Sequence, residues 1–196
     1  PVRLGPWQWV GAAVILAAAM LMIEVDGSEH YISESCAAIF LACRNEGLIK
    51  AETTANATDL WRARKTLSPL LRDIAPKKIN EDVVVPVNAL PEFLEGLTRL
   101  SSKYDVANVN FGHAGNGNIH VNLLVNPDKA GELNRAERCL DEVFDLVIRL
   151  RGTLSGEHGV GSEKRAYVGK EIDVPTMALM KGIKRVFDPK NILNPG

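Results

Sequence analysis

The chain has 196 residues, 46% of them hydrophobic and 24% charged, with a formal net charge of −1. That length suits one globular domain with an appended segment and a core large enough to need no cross-links. The near-neutral balance excludes nucleic acid or another polyanion as the expected partner, and three cysteines without framework spacing exclude a disulfide scaffold.

The chain opens at Pro1 and so reads as a fragment or processed form, with residues 1–19 as an unassigned apolar segment. Val10 to Ile23 is almost purely apolar but shorter than the ~20 residues of a membrane span. Glu24 and Asp26 follow with no cleavage pattern or basic stop, so this stretch is expected to pack within the protein rather than cross a bilayer. Met20 to Val25 reads as a strand ended by Asp26-Gly27. Ser28 is placed to cap a helix running to about Glu46, with Gly47 as its stop. Ile32, Cys36, Ile39, Phe40 and Cys43 form its core stripe. Cys36 and Cys43 would then lie about 10 Å apart along the axis, too far for a disulfide. With an odd cysteine count, this points to a reducing, cytoplasmic setting, at most peripheral to a membrane. All three thiols, Cys139 included, read as small buried hydrophobes.

Ile49 to Thr54 is predicted as a short strand, and Asp59 to Ile74 as a helix bent or broken at Pro69. Lys77-Lys78 is too short to be a nucleic-acid patch. Ile79 to Val87 alternates weakly and is β-branched, hence a strand. Asn88 to Tyr104 is a helix with Phe93, Leu94, Leu97, Leu100 and Tyr104 inward. Val106 to Phe111 and Ile119 to Val125 are strands around a glycine loop. Glu132 to Arg151 is the clearest helix, with Leu133, Ala136, Leu140, Val143, Val147 and Leu150 on one face and Gly152 as its stop. Thr153 to Ser155 is a short strand, Pro175 to Phe187 a last helix, and Asp188 to Gly196 a Pro- and Asn-rich tail. The order predicts an α+β fold, an antiparallel or mixed sheet with helices on one face.

Two glycine-rich segments carry the chemistry: Gly112-His113-Ala114-Gly115-Asn116-Gly117-Asn118-Ile119-His120 and Ser155-Gly156-Glu157-His158-Gly159-Val160-Gly161. If the flanking strands pair, His113 and His120 become near cross-strand neighbours at the sheet rim. With Glu157 they make a three-ligand set with open positions, as catalytic zinc and other divalent metals use. Glu157 and His158 diverge on an extended backbone, so one can bind metal while the other serves as a base. Hydrogen-bonded loop residues are the plainer alternative for each. Arg62, Arg64 and Lys65 follow Trp61 on a predicted helix. Arginine can clamp a carboxylate, although a solvated helix face explains any one of them.

The two histidine motifs, in this order, resemble the paired signatures of the C-terminal domain of FAD-linked 2-hydroxy-acid oxidoreductases. That group includes the glycolate oxidase flavoprotein subunit, D-lactate dehydrogenase and D-2-hydroxyglutarate dehydrogenase. Leu21-Met22-Ile23-Glu24-Val25-Asp26-Gly27, Leu60-Trp61-Arg62-Ala63-Arg64, Glu81-Asp82-Val83-Val84-Val85-Pro86 and the tail from Ile183 to Gly196 add to the likeness, which covers residues 20–196. The resemblance implies a ferredoxin-like cap domain over a flavin. It implies His113, His120 and Glu157 as metal ligands, His158 as catalytic base, and Arg64, Ser68 and Asn122 as substrate contacts. It also implies FAD, held mostly by an N-terminal FAD-binding domain that this chain lacks, and a divalent metal, zinc or manganese. Asn116 replaces the commoner Asp of the pattern, and no lysine matches the one some relatives place on a distal carboxylate. The lack of a clear match for that lysine, with only Lys77 and Lys78 nearby, favours a lactate- or glycolate-type substrate over a dicarboxylate.

The expected function is therefore the substrate- and metal-binding domain of a flavin-dependent D-2-hydroxy-acid dehydrogenase, inactive by itself. The FAD-binding domain would join in cis or in trans, and a homo-oligomer is compatible with this. The rivals are a standalone divalent-metal hydrolase and a non-catalytic remnant or binding module.

Overall fold

The computed structural model describes residues 23, 25, 27–44, 54 and 57–195. The apolar stretch from Val10 up to Met22, the helix stop at Gly47 and most of the predicted strands at Met20 to Val25 and Ile49 to Thr54 fall outside these residues. Ile23, Val25 and Thr54 are described and lie in no strand. The chain divides into two compact units, residues 18–71 and a larger one that takes in residues 72–196.

In the smaller unit, helix α1 (Glu29–Cys43) starts at Ser28, whose hydroxyl accepts the Tyr31 N–H at 3.3 Å. Ile32, Cys36, Ile39, Phe40 and Cys43 are half-buried, as is Ser35, and no residue of the helix is fully buried, so the predicted core stripe is only partly covered in this structure. Helix α2 (Ala57–Ile74) continues through Pro69. The ring removes one ladder hydrogen bond, yet the helix runs on, so of the predicted bend or break the break does not occur.

The larger unit runs β1 (Lys77–Val84), α3 (Leu90–Tyr104), β2 (Ala107–His113), β3 (Asn118–Val125), α4 (Glu132–Arg149), α5 (Val168–Glu171) and α6 (Val174–Phe187). The sheet order is β1-β3-β2, with β3 antiparallel to both neighbours. Thr153 bridges Val84 through reciprocal bonds of 3.0 and 2.9 Å on the edge of β1 away from β3. The predicted strand Thr153 to Ser155 shrinks to that one bridge. The result is a β-α-β-β-α-β ferredoxin-like arrangement whose last strand is vestigial, an α+β domain as expected.

Alternation along β3 sorts the sheet into two faces. Ile119, Val121, Leu123 and Val125 join Phe93, Leu97, Val143, Phe144 and Val147 of α3 and α4 in the buried core. Burying each such side chain is worth roughly 1.5–3 kcal/mol. The opposite face is largely polar: in register, His120 lies between Asp82 and Phe111, and Asn122 between Asn80 and Val109.

Two details of this unit differ from the sequence expectation. Leu94 is 40% exposed, while Gly96 and Ser101 are buried. Leu146 of α4 approaches Gly96 closely, and the Ser101 hydroxyl donates to the Val106 carbonyl at 2.6 Å. These two contacts turn the inner face of α3 away from Leu94. Helix α4 ends with Arg151, not Gly152, in the left-handed region at φ 61°. Gly152 is needed for another reason: a Cβ there would lie 2.1 Å from the Val84 carbonyl oxygen.

Helix α6 is capped by Asp173, which accepts the Thr176 N–H at 2.8 Å. Asp188 folds the tail back by accepting the N–H groups of Ile192 and Leu193 at 2.9 and 3.0 Å. The three cysteines are free thiols, with Cys139 buried. Among the described residues, no helix is long and apolar enough to cross a membrane.

Candidate metal and active site

The β2–β3 hairpin turns through a short helical step, Ala114–Asn116, and Gly117 at φ 75°. A Cβ at Gly117 would fall 1.9 Å from the Val85 carbonyl oxygen, so only glycine fits the turn. The Asn116 side-chain oxygen accepts the Asn118 N–H at 3.1 Å. This short turn pairs His113 with Asn118 and Phe111 with His120. The two histidines are therefore diagonal on one face, ring centroids 6.0 Å apart, rather than directly opposed. His113 is at the rim, whereas His120 is two positions inside the sheet and only 6% exposed.

The second glycine segment brings Glu157 to them. Its Oε1 is 2.9 Å from His120 Nε2 and 4.0 Å from His113 Nε2. One donor atom from each of the three residues lies within 4.8 Å of the other two. Donors about 2.1 Å from a common tetrahedral centre would be about 3.4 Å apart, so the observed separations bracket what a small divalent ion requires. Burial holds the His120 imidazole below its usual pKa. Its histidine neighbours add to this effect, and Glu157 and Asp82 oppose it. A neutral imidazole is the ligating form.

His158 sits beside this cluster, its ring centroid 5.2 Å from that of His120 and its Nε2 3.9 Å from Glu157 Oε1. The expected divergence of Glu157 and His158 is therefore not found. The backbone of Gly156, Glu157 and His158 curls around the Asp82 carboxylate, whose Oδ2 accepts their N–H groups at 2.8, 2.5 and 2.9 Å. Asp82 Oδ1 accepts a 2.5 Å bond from Lys164 Nζ and stands 3.6 Å from His158 Nδ1. Lys164 also donates to the Asp82 carbonyl at 2.7 Å and approaches Glu81 Oε2 at 3.4 Å. Burial alone would raise the Asp82 pKa, yet the Lys164 ammonium and the backbone N–H bonds outweigh it and hold the carboxyl well below the usual range. Burial raises the Glu81 pKa, against the pull of Lys164.

The sequence alone does not single out Asp82 or Lys164. A charge opening the apolar run Val83-Val84-Val85 is the one available sign for Asp82. For Lys164 there is none.

Of the remaining expected residues, one belongs to β3 and two to α2. Asn122 shares the face of His120 but is fully buried. Its amide donates to the Val109 and His120 carbonyls at 2.9 and 3.1 Å and accepts from Asn80 at 2.7 Å. Arg64 and Ser68 are on α2 in the smaller unit, Ser68 half-buried. The side chain of Arg64 is outside the described residues. Arg62 and Lys65 are exposed, as a solvated helix face requires.

The family described as "FAD linked oxidases, C-terminal domain" matches residues 11–196, which takes in part of the apolar segment before residue 20. The chain is 34% identical over 183 residues to the glycolate oxidase subunit GlcD of Bacillus subtilis, covering 92% of this chain and 39% of that protein. It is 33% identical to a D-lactate dehydrogenase of Anaerostipes hadrus, covering 91% of this chain and 38% of the relative. A D-2-hydroxyglutarate dehydrogenase of Xanthomonas citri shares 37% identity over 90% of this chain and 39% of its own length. The chain thus spans about two fifths of the length of these relatives. With a match from residue 11 to the last residue and both histidine motifs meeting at one site, the chain belongs to the FAD-linked oxidase C-terminal domain family.

Proposed function

We propose that this chain is the substrate- and metal-binding part of a flavin-dependent dehydrogenase that oxidises a D-2-hydroxy acid of the lactate or glycolate type to the 2-oxo acid. The meeting of His113, His120 and Glu157 with His158 beside them carries this reading, and the names of the relatives support the substrate class. The three side chains would hold zinc or manganese. Such an ion, when bound, supplies a Lewis acid that raises the acidity of a hydroxyl near it. FAD, held mostly by an FAD-binding domain in cis or in trans, supplies the hydride acceptor.

The chain's own residues do the rest. His158 is half-exposed beside the ligand cluster, open to substrate, and takes the hydroxyl proton on its imidazole. Arg64 orients the substrate carboxylate through paired N–H donors, with Ser68 as a further polar contact. Asn122 contacts substrate only by giving up one of its sheet hydrogen bonds. The test is anaerobic reduction of the flavin in the full-length protein by D-lactate and glycolate, before and after metal removal. Reduction should stop on chelation and return with zinc or manganese. An unchanged rate in the stripped protein, or no reduction by any D-2-hydroxy acid, rules the reading out.

A further inference from the structure

We propose that Asp82 is the positioning residue of this site: its buried carboxylate holds residues 156–158 in the turn that sets Glu157 against His120 and His158 beside both. On the reading of His113, His120 and Glu157 as metal ligands, such a brace is needed. Residues 156–158 belong to no helix or strand, and Gly159 and Gly161 follow at positive φ. An extended backbone would send the two side chains apart. Convergence of three successive N–H groups on the single oxygen Oδ2 forces the curl that brings them together.

The anchor is also placed where it can transmit rigidity. Asp82 lies in β1 and pairs in register with His120 of β3. The carboxylate thus ties the loop to the strand position that faces the central ligand. Lys164 neutralises the other oxygen and grips the Asp82 backbone carbonyl, so the brace is itself held from a second point. Oδ1 also stands 3.6 Å from His158 Nδ1, while the ring's other nitrogen, Nε2, is 3.9 Å from Glu157 Oε1.

The test uses the full-length protein with zinc alone as the probe, together with amide exchange of residues 156–158. In Asp82→Asn and Asp82→Ala these amides should exchange at least about tenfold faster than in wild type. Zinc affinity should fall about 10- to 100-fold, the usual effect of losing a partner that orients a ligand. The double variant Asp82→Asn/Lys164→Met removes both charges. It should regain most of the lost melting temperature and still bind zinc weakly, which a purely structural brace would not do. A folded Asp82→Asn protein with wild-type zinc affinity, or with unchanged amide exchange, overturns the proposal. If zinc binds the wild type, is lost in His120→Ala and is kept in Asp82→Asn, the proposal alone falls. If the wild type binds no zinc, the ligand reading falls and takes the proposal with it.

Discussion

Asp82 Oδ2 accepts the backbone N–H of Glu157 at 2.5 Å across 75 residues of chain. A strand position is thereby joined to a loop that has no regular structure of its own. The stability of the fold and the geometry of the site are coupled through this carboxylate and its buried partner, Lys164, whose side chains are 0% and 4% exposed.

Removing one member of a buried ion pair leaves the other charge uncompensated, at a cost of about 3–5 kcal/mol. Lys164→Met should fall near the lower end, because the three N–H donors still face Asp82. Adding Asp82→Asn should recover most of the loss, since an uncharged pair needs no compensation. Urea unfolding of wild type, single and double variants measures both steps. A loss below about 1 kcal/mol in Lys164→Met would put the pair in the range of exposed ion pairs and contradict its buried placement.

Protein as purified or reconstituted should carry about one divalent metal per chain, by the three-ligand logic. His120→Ala should weaken binding by at least roughly 100-fold, beyond the loss expected for an outer partner. The fold should survive, because His120 is on the polar face away from the apolar core. Calorimetric titration with zinc checks this. Unchanged metal content in both His113→Ala and His120→Ala would remove the site.

Glu157 and His158 are neighbours with different assigned tasks, so their variants should fail differently in the full-length, flavin-containing protein. Glu157→Gln should lower metal affinity, and excess metal should partly restore activity. His158→Asn should keep metal and flavin but slow flavin reduction by roughly 10²- to 10⁴-fold, the usual share of general base catalysis. Arg64→Lys should mainly raise KM, because a point charge replaces a planar fork. Stopped-flow flavin bleaching separates these cases. Near-normal reduction in His158→Asn would place the base elsewhere.

Burial pushes the Cys139 thiol up to about 11, with a smaller push from Glu142. At pH 8 only about one thiol in a thousand is then ionised, so alkylation should spare Cys139 until denaturant is added. The half-buried Cys36 and Cys43 should react first. An unfolded thiol titrates near 8.5. The folded state therefore holds its proton longer, and the resulting stability is full below about pH 8.5 and lost as pH rises toward 11. The loss should reach up to about 3 kcal/mol, since each tenfold difference in proton affinity between the folded and unfolded thiol is worth about 1.4 kcal/mol. It should be absent in Cys139→Ala. Equal alkaline stability curves for the two proteins would show that the thiol is not held as described.

By itself the sequence determined what is local. The period of Ala136, Leu140, Val143 and Val147 specifies α4 because side chains of one helix face recur every three or four residues. Gly115 and Gly117 between two short strand-like segments specify the hairpin, and His113, His120 and Glu157 are residue types that a ligand set would use. The tertiary structure decided what depends on pairs far apart in the chain. Sheet register put His113 diagonal to His120, and Leu146 against Gly96 turned Leu94 outward. The Val109 carbonyl and the Asn80 amide took up the side chain of Asn122. Above all, Asp82 and Lys164 met across 82 residues and bent the second glycine segment so that Glu157 and His158 face one site. Periodicity reports which way a side chain points along its own element. Its partner is set by the packing of other elements, and for a buried charge the partner decides what the residue does.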